Sequence, residues 1–331
     1  MKISFLASIL FVFVPIFVFG QNYADTLPSP YSLTNFEITL SPTNPSPNQT
    51  VSARAAVYGA TLQKNTVVWT LNGQVIGQGT DSTSFTVGNL GSRYTLGVQG
   101  TLANGVTLSE TTVIIPSSVD IFYEAQTTVP PFYKGKALLT NQSDIVFYAQ
   151  PHVVNSNGTK LTNSQLEFLW KTGGSVAQGQ SGIGKNSFLL ETGFLPTSSQ
   201  ITVEVRPTSG IGPTARGTAS APFANPALLV YENSSLYGTL YNNALASSFT
   251  LPENEITLQA SPYFFSKKTP VLISWKLNEA QVSGNENGNT ITFRNENNSS
   301  GKASIYTQAS NLGNILQDAR SARINLIFGQ Q

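Results

Sequence analysis

Three tryptophans stand at nearly equal intervals in the chain, Trp69, Trp170 and Trp275, separated by 101 and 105 residues, and the segments around them are alike. Self-similarity at a fixed period is the mark of a repeated structural unit, so it constrains the fold before composition is consulted. The three segments are Val67-Val68-Trp69-Thr70-Leu71-Asn72-Gly73, Phe168-Leu169-Trp170-Lys171-Thr172-Gly173-Gly174 and Ile273-Ser274-Trp275-Lys276-Leu277-Asn278-Glu279. Each places an apolar residue two before the Trp and a turn residue three after it. Period-two spacing puts both apolar side chains on one face of a strand that ends in a turn. A second strand is expected around Phe85, Phe188 and Phe293, and a third over Tyr94 to Val98, Ile201 to Val205 and Ala303 to Thr307.

Copies two and three share further segments. Phe122-Tyr123-Glu124 aligns with Val230-Tyr231-Glu232 at an offset of 108, Ala137-Leu138 with Ala244-Leu245 at 107, and Ala149-Gln150-Pro151-His152 with Ala260-Ser261-Pro262-Tyr263 at 111. The proline-bearing stretches Ile115-Pro116-Ser117-Ser118 and Ala221-Pro222-Phe223-Ala224-Asn225-Pro226 mark boundaries, giving domains at 33–116, 118–224 and 226–331. Such short proline joints are stiffer than Gly/Ser linkers, and a semi-rigid rod is expected. About seven short strands per hundred residues are legible, with no amphipathic helix beyond a turn near Leu316 to Ala319.

Composition narrows the chemistry. The chain has no Cys and one His, which excludes a disulfide framework, a thiol nucleophile and a two-histidine metal site. Its 18 Lys and Arg balance 17 Asp and Glu, and each expected domain is within one charge of neutral, so no segment attracts nucleic acid through its field. With 40% hydrophobic and only 11% charged residues, a packed core is attainable and the polar surface falls to Asn, Ser, Thr, Gln and Gly.

The first twenty residues read as an export signal: Lys2, an apolar run from Ile3 to Phe19, and Gly20 before a cleavage point at Gln21. Residues 21–32 then form a linker. No second apolar span follows, so the expectation is a secreted or cell-surface protein with no membrane span after signal cleavage.

The Trp-strand pattern resembles the PKD-like and immunoglobulin-like modules that occur in tandem in exported bacterial surface proteins. The run Val129-Pro130-Pro131-Phe132-Tyr133-Lys134-Gly135-Lys136-Ala137-Leu138 also resembles one in Ig-like surface proteins of small-genome, candidate-phylum bacteria. This resemblance implies an all-β chain of three tandem immunoglobulin-like β-sandwiches. It carries no established activity with it.

Candidate catalytic groups are few. His152 aligns with Tyr263, which points to a flat, half-polar packing position rather than a proton shuttle, and Asp144 is not recognisable as its orienting acid. Of the carboxylates that a glycosidase would pair, Glu124 and Glu232 belong to different repeats, while Glu253 and Glu255 read as solvated edge charges. Five Asp, none in Asp-x-Asp, make a calcium cage an unfavoured reading. No catalytic, cofactor-binding or metal residue is assigned.

The candidate interdomain or surface contacts are Tyr123, Glu124, Tyr231, Glu232, Phe132 and Tyr133, with Trp69, Trp170 and Trp275 as cores. Tyr123 and Tyr231 are expected to open the first strands of their domains and to pack on the preceding one. The expected function is that of an exported, non-catalytic cell-envelope protein acting in adhesion, display or spacing, with an envelope protein or a glycan as partner. Two alternatives stay open: a carbohydrate-binding or glycoside-active accessory module, and a subunit of an envelope filament or secretion assembly.

Overall fold

The computed structural model describes residues 36–329 except 156, 195–198, 252–253, 284–287 and 318–319; the expected signal, its cleavage point and the linker lie outside the described residues. Module 1 contains β1 (Phe36–Ser41), β2 (Thr50–Val57), β3 (Leu62–Leu71), β4 (Gln74–Gln78), β5 (Ser82–Thr86), β6 (Tyr94–Leu102) and β7 (Thr107–Ile114). Module 2 contains β8 (Ser118–Ala125), β9 (Asp144–His152), β10 (Leu166–Thr172), β11 (Ser175–Val176), β12 (Gly182–Ile183), β13 (Ser187–Glu191), β14 (Ile201–Pro207) and β15 (Ala215–Ala219). Module 3 contains β16 (Ala227–Ser234), β17 (Gly238–Ala244), β18 (Ser248–Thr250), β19 (Glu255–Tyr263), β20 (Val271–Leu277), β21 (Ala280–Val282), β22 (Thr290–Arg294), β23 (Gly301–Asn311) and β24 (Arg320–Phe328).

Each module is two facing sheets around its own apolar core. In one sheet the order is β1-β2-β5, β8-β9-β13 or β17-β16-β19-β22; in the other it is β4-β3-β6-β7, β11-β10-β14-β15 or β21-β20-β23-β24-β18. This is the immunoglobulin-like sandwich, three times in tandem.

The tryptophan strands β3, β10 and β20 lie inside the second sheets, where Trp69 faces Val98, Trp170 faces Val203 and Trp275 faces Thr307 on the neighbouring strand. All three indoles are fully or almost fully buried. A buried indole N–H requires an acceptor. Each donates to a backbone carbonyl in the crossover toward the opposite sheet: Trp69 to Thr80 at 3.1 Å, Trp170 to Lys185 at 2.8 Å, Trp275 to Gly288 at 2.7 Å.

The turn residues after each Trp have a backbone reason. All three strands end in two-residue hairpin loops whose residues adopt left-handed φ: Asn72 at 50° and Gly73 at 81°, Gly173 at 56° and Gly174 at 83°, Asn278 at 48° and Glu279 at 71°. Positive φ at both positions is what the right-handed strand twist demands of so short a loop, and Asn and Gly accept it most readily. Asn72 and Asn278 also accept the N–H of Thr95 and Ser304 through their side chains, both at 2.9 Å.

One sequence correspondence is corrected. β9 and β19 align with Ala149 at Ala260, and their partners across the ladder are Ile121 and Val230. Tyr231 therefore occupies the place of Phe122, not of Tyr123. A one-residue slip exchanges the faces of a strand. Tyr123 points toward its own core, its ring 5.8 Å from Phe147, whereas Tyr231 lies on the opposite face from the core residues Leu228 and Val230.

Candidate functional site

The linker prolines set where modules 2 and 3 meet, but segments distant in sequence close the joint. Thr127 bridges Ser266 as in an antiparallel ladder; the Thr128 N–H donates to Phe265 O and its carbonyl accepts from Phe264 N–H, both at 2.7 Å, and Lys267 N–H reaches Gln126 O at 3.0 Å. The connection β8–β9 of module 2 is thus paired with the connection β19–β20 of module 3.

A second layer of polar side chains locks this pairing. Gln317, in the 3-10 turn Ile315–Gln317, donates from Nε2 to Thr140 Oγ1 at 3.0 Å and to Asn141 O at 2.6 Å, while its Oε1 accepts Ser266 N–H at 2.7 Å. Thr140 Oγ1 donates onward to Phe264 O at 3.0 Å. Thr127, Thr140, Ser266 and Gln317 are all fully buried. At the rim, Lys268 Nζ lies 2.8 Å from Asp144 and 3.3 Å from Glu191. The bond to Asp144, ahead of the one to Glu191, raises the Lys268 ammonium above its ordinary pKa against a smaller opposing effect of burial.

From this joint an aromatic turn projects. Tyr133 N–H closes onto Pro130 O at 3.3 Å, with Pro131 at the first central position and Phe132 at the second with φ of 60°. A left-handed second central position ordinarily takes Gly or Asn, because a β-carbon is strained there. Phe132 is nonetheless 95% exposed. Tyr133 anchors the turn, packing edge-on against Tyr263 at 5.8 Å and Phe264 at 6.1 Å. A β-carbon at Gly135 would stand 2.7 Å from the Tyr133 hydroxyl, so Gly is what lets that ring lie down. Lys134 and Lys136 are exposed beside it, and Lys136 Nζ sits 5.1 Å from the Tyr123 ring.

Behind the turn the aromatic contacts continue inward. Tyr263 and Tyr231 share a hydroxyl hydrogen bond of 2.6 Å, and Tyr241 packs edge-on to Tyr231 at 5.2 Å. Burial first, then the bond to Tyr231, pushes the Tyr263 phenol well above its usual pKa.

The sequence candidates therefore separate. Phe132 and Tyr133 form the turn; Tyr231 is a buried packing residue; Glu232 is half-exposed and Glu124 exposed, and neither has an ion-pair partner among the described residues. Tyr123 is the sixth residue of β8, at the end near module 3, not at the entrance near module 1, because the Ser118 end of the strand carries the linker. Gln317, Thr140 and Thr128, which hold the joint, bear no sequence signal beyond being polar.

Catalytic geometry is sparse. His152 Nε2 meets Asp120 Oδ2 at 3.0 Å on the outer face of β8 and β9, and among the described residues no hydroxyl bonds its other nitrogen. Asp144, the acid weighed from sequence, pairs with Lys268 instead. Glu255 is held by Arg294 at 2.6 Å, Glu167 by Arg206 at 2.7 Å and Glu204 by Lys171 at 2.8 Å, all across strands; Glu253 lies outside the described residues. Among the described residues no group of three His, Asp or Glu is placed to hold a metal ion, and no helix is long and apolar enough to cross a membrane.

No family model and no curated protein matches the chain. Among solved structures it is similar to the three N-terminal domains of the outer capsid protein Hoc of bacteriophage RB49, at 14% identity over 89% of this chain and 96% of that one, with a TM-score of 0.24. It is also similar to immunoglobulin domains 1–4 of Sidekick-1, at 10% identity over 88% and 75% with a TM-score of 0.24. A third similarity is to the central fibronectin-III array of RIM-binding protein, at 12% identity over 90% and 97% with a TM-score of 0.29.

Proposed function

We propose that this chain is an exported, non-catalytic spacer and display protein of the cell envelope, in which modules 2 and 3 form one stiff arm that presents the Phe132 turn to a protein partner. The observation that carries the reading is the combination at Phe132: a large apolar side chain on a left-handed turn, without cover, fixed on a joint whose polar groups are buried and bonded. Strain and exposure both cost stability in the free protein, and binding repays them only if the ring enters a pocket. The turn is pre-organised, so little conformational entropy is lost on docking. Lys134 and Lys136 set the chemistry of the partner, an apolar pocket with an acidic rim.

The absence of Cys makes the test direct. In a Phe132→Cys variant, a membrane-impermeant maleimide added to intact producing cells should label the protein; labelling only after lysis would overturn the export reading. In parallel, Phe132→Ser should abolish cell-surface retention or adhesion while melting like the parent. Unchanged retention would remove the turn from the binding role.

A further inference from the structure

The outer face of β8 and β9 in module 2 forms an open groove of about 600 Å³, separate from the Phe132 turn. Its floor carries Phe122 and Tyr148, directly opposite each other in the ladder and both substantially exposed, at 56% and 43%. Alternation along β8 gives the outer face to Phe122 and the core face to its neighbour Tyr123.

The walls are polar and have hydrogen-bonding capacity to offer. The side-chain amides of Gln150, Asn163 and Asn186 line the groove and make no hydrogen bond among the described residues. Asn163 is held in place because Thr162 and Gln165 close a capping box around its 3-10 turn, with Thr162 N–H to Gln165 Oε1 at 3.0 Å. Lys160 is the one charged side chain of the lining, and Asp120, one row beyond on β8, is engaged by His152.

The corresponding face of module 3 gives the control within the molecule. There Tyr231 takes the place of Phe122 and Tyr263 that of His152; Tyr241 of β17 packs on the Tyr231 ring and the Tyr263 hydroxyl bonds that of Tyr231, leaving Tyr231 3% exposed. Module 3 supplies its own aromatic cover, and module 2 does not.

We infer that this groove binds a neutral oligosaccharide, with Phe122 and Tyr148 stacking on the C–H faces of successive sugar rings and Gln150, Asn163 and Asn186 pairing with their hydroxyls. An amide both donates and accepts, as a sugar hydroxyl does, so free amides beside aromatic rings match a glycan better than they match an ion. The volume is that of a small-molecule site and accommodates a short oligosaccharide. A peptide fits less well, because the backbone groups beneath Phe122 and Tyr148 are already paired between β8 and β9, so the floor offers ring faces and side-chain amides and not a free strand for addition. A strongly anionic polymer would find only Lys160.

The test uses the whole mature chain titrated by calorimetry and by NMR with cellotetraose, xylotetraose, mannotetraose and chitotetraose, alongside a trigalacturonate and an extended neutral peptide. At least one neutral tetrasaccharide should bind with a Kd in the micromolar to low millimolar range. Phe122→Ala and Tyr148→Ala should each weaken it tenfold or more, and Asn163→Asp should weaken it with the melting profile unchanged. Phe132→Ser should leave it unaltered, which separates this site from the partner-docking turn. Failure of all four neutral sugars to bind, preference for trigalacturonate or the peptide, or binding indifferent to both aromatic substitutions would each overturn the inference.

Discussion

The two joints of this chain begin from similar sequence and arrive at different solutions. Both follow a proline, and in both the next module starts within a few residues. Between modules 2 and 3 the β8–β9 and β19–β20 connections pair as a short ladder, and Gln317 enters the gap to bond three backbone or hydroxyl partners. Between modules 1 and 2 the hydrogen bonds run from the linker: Ser117 N–H to Pro45 O at 3.1 Å and Gly91 N–H to Pro116 O at 3.3 Å. A cavity of about 290 Å³ stands there between Arg93 and Val113 on one side and Ile211 to Thr214 on the other. The β14–β15 turn of module 2 thus borders a void where the β23–β24 turn of module 3 inserts a glutamine. Proline narrows the angles a joint samples, but a buried, satisfied polar network selects one of them.

The largest expected effect separates cores from joints. Truncating Trp69 or Trp275 to Ala removes a buried indole and should cost its module about 3 to 5 kcal/mol. In scanning calorimetry Trp69→Ala should lower the transition of module 1 alone. Trp275→Ala should lower module 3 and drag module 2 with it, since the clamp couples their unfolding. Equal lowering of all three modules by Trp275→Ala would break the comparison, and so would a module 2 transition that does not move.

Next in size is the clamp itself. Gln317→Ala leaves the Thr140 hydroxyl, the Asn141 carbonyl and the Ser266 N–H each without the partner that Gln317 supplies, a loss of about 2 to 3 kcal/mol. Modules 2 and 3 should then melt as two resolved transitions, with the cores individually intact by near-UV circular dichroism. A single unsplit transition would show that the ladder alone suffices.

A smaller change is expected at the first joint. Gly91 has φ of 76°, and a β-carbon there would stand 2.6 Å from Val154 Cγ2 across the joint. Gly91→Ala should therefore shift and broaden a distance measured by spin labels on modules 1 and 2, at a cost of about 1 to 2 kcal/mol confined to module 1. Labels on modules 2 and 3 in the same protein should not change. If the first distance is unmoved, the contact does not position module 1.

How far these differences were legible depends on where the information sits. The tryptophan strands, their hairpin turns and the strand that follows were readable because side-chain period and positive-φ turns are local properties, and Asn72-Gly73 and Gly173-Gly174 announce them. Face assignment on β8 and β16 was not, because insertions between copies shift the offset by a residue or two, and one residue exchanges Phe122 for Tyr123. The joint was least legible. Thr128, Thr140 and Gln317 are ordinary polar residues, and their role arises only when loops far apart in sequence are brought together. Phe132 lies in the run Val129 to Leu138, but its exposure goes with a left-handed turn position that Pro131 before it permits without requiring.

The smallest expected effect lies at the rim of the tight joint, where Lys268 bridges to Asp144 and Glu191. Its ammonium has a raised pKa, caused first by the bond to Asp144, so the folded form holds the proton more firmly than the unfolded chain does. A group shifted this way contributes in full below its unfolded pKa, and the contribution disappears as pH rises through the folded pKa. The joint should accordingly be insensitive to pH between neutrality and the onset of lysine titration, then loosen on the alkaline side. Because Lys268 is partly solvated, screening keeps the effect well below that of Gln317. A neutral side chain at position 268 isolates the contribution of this ammonium. In Lys268→Met the shared transition of modules 2 and 3 should be slightly broadened already at pH 7 and should change less than the parent's on raising the pH. An alkaline loosening as large in Lys268→Met as in the parent would show that Lys268 is not its cause and leave the joint to the buried network around Gln317.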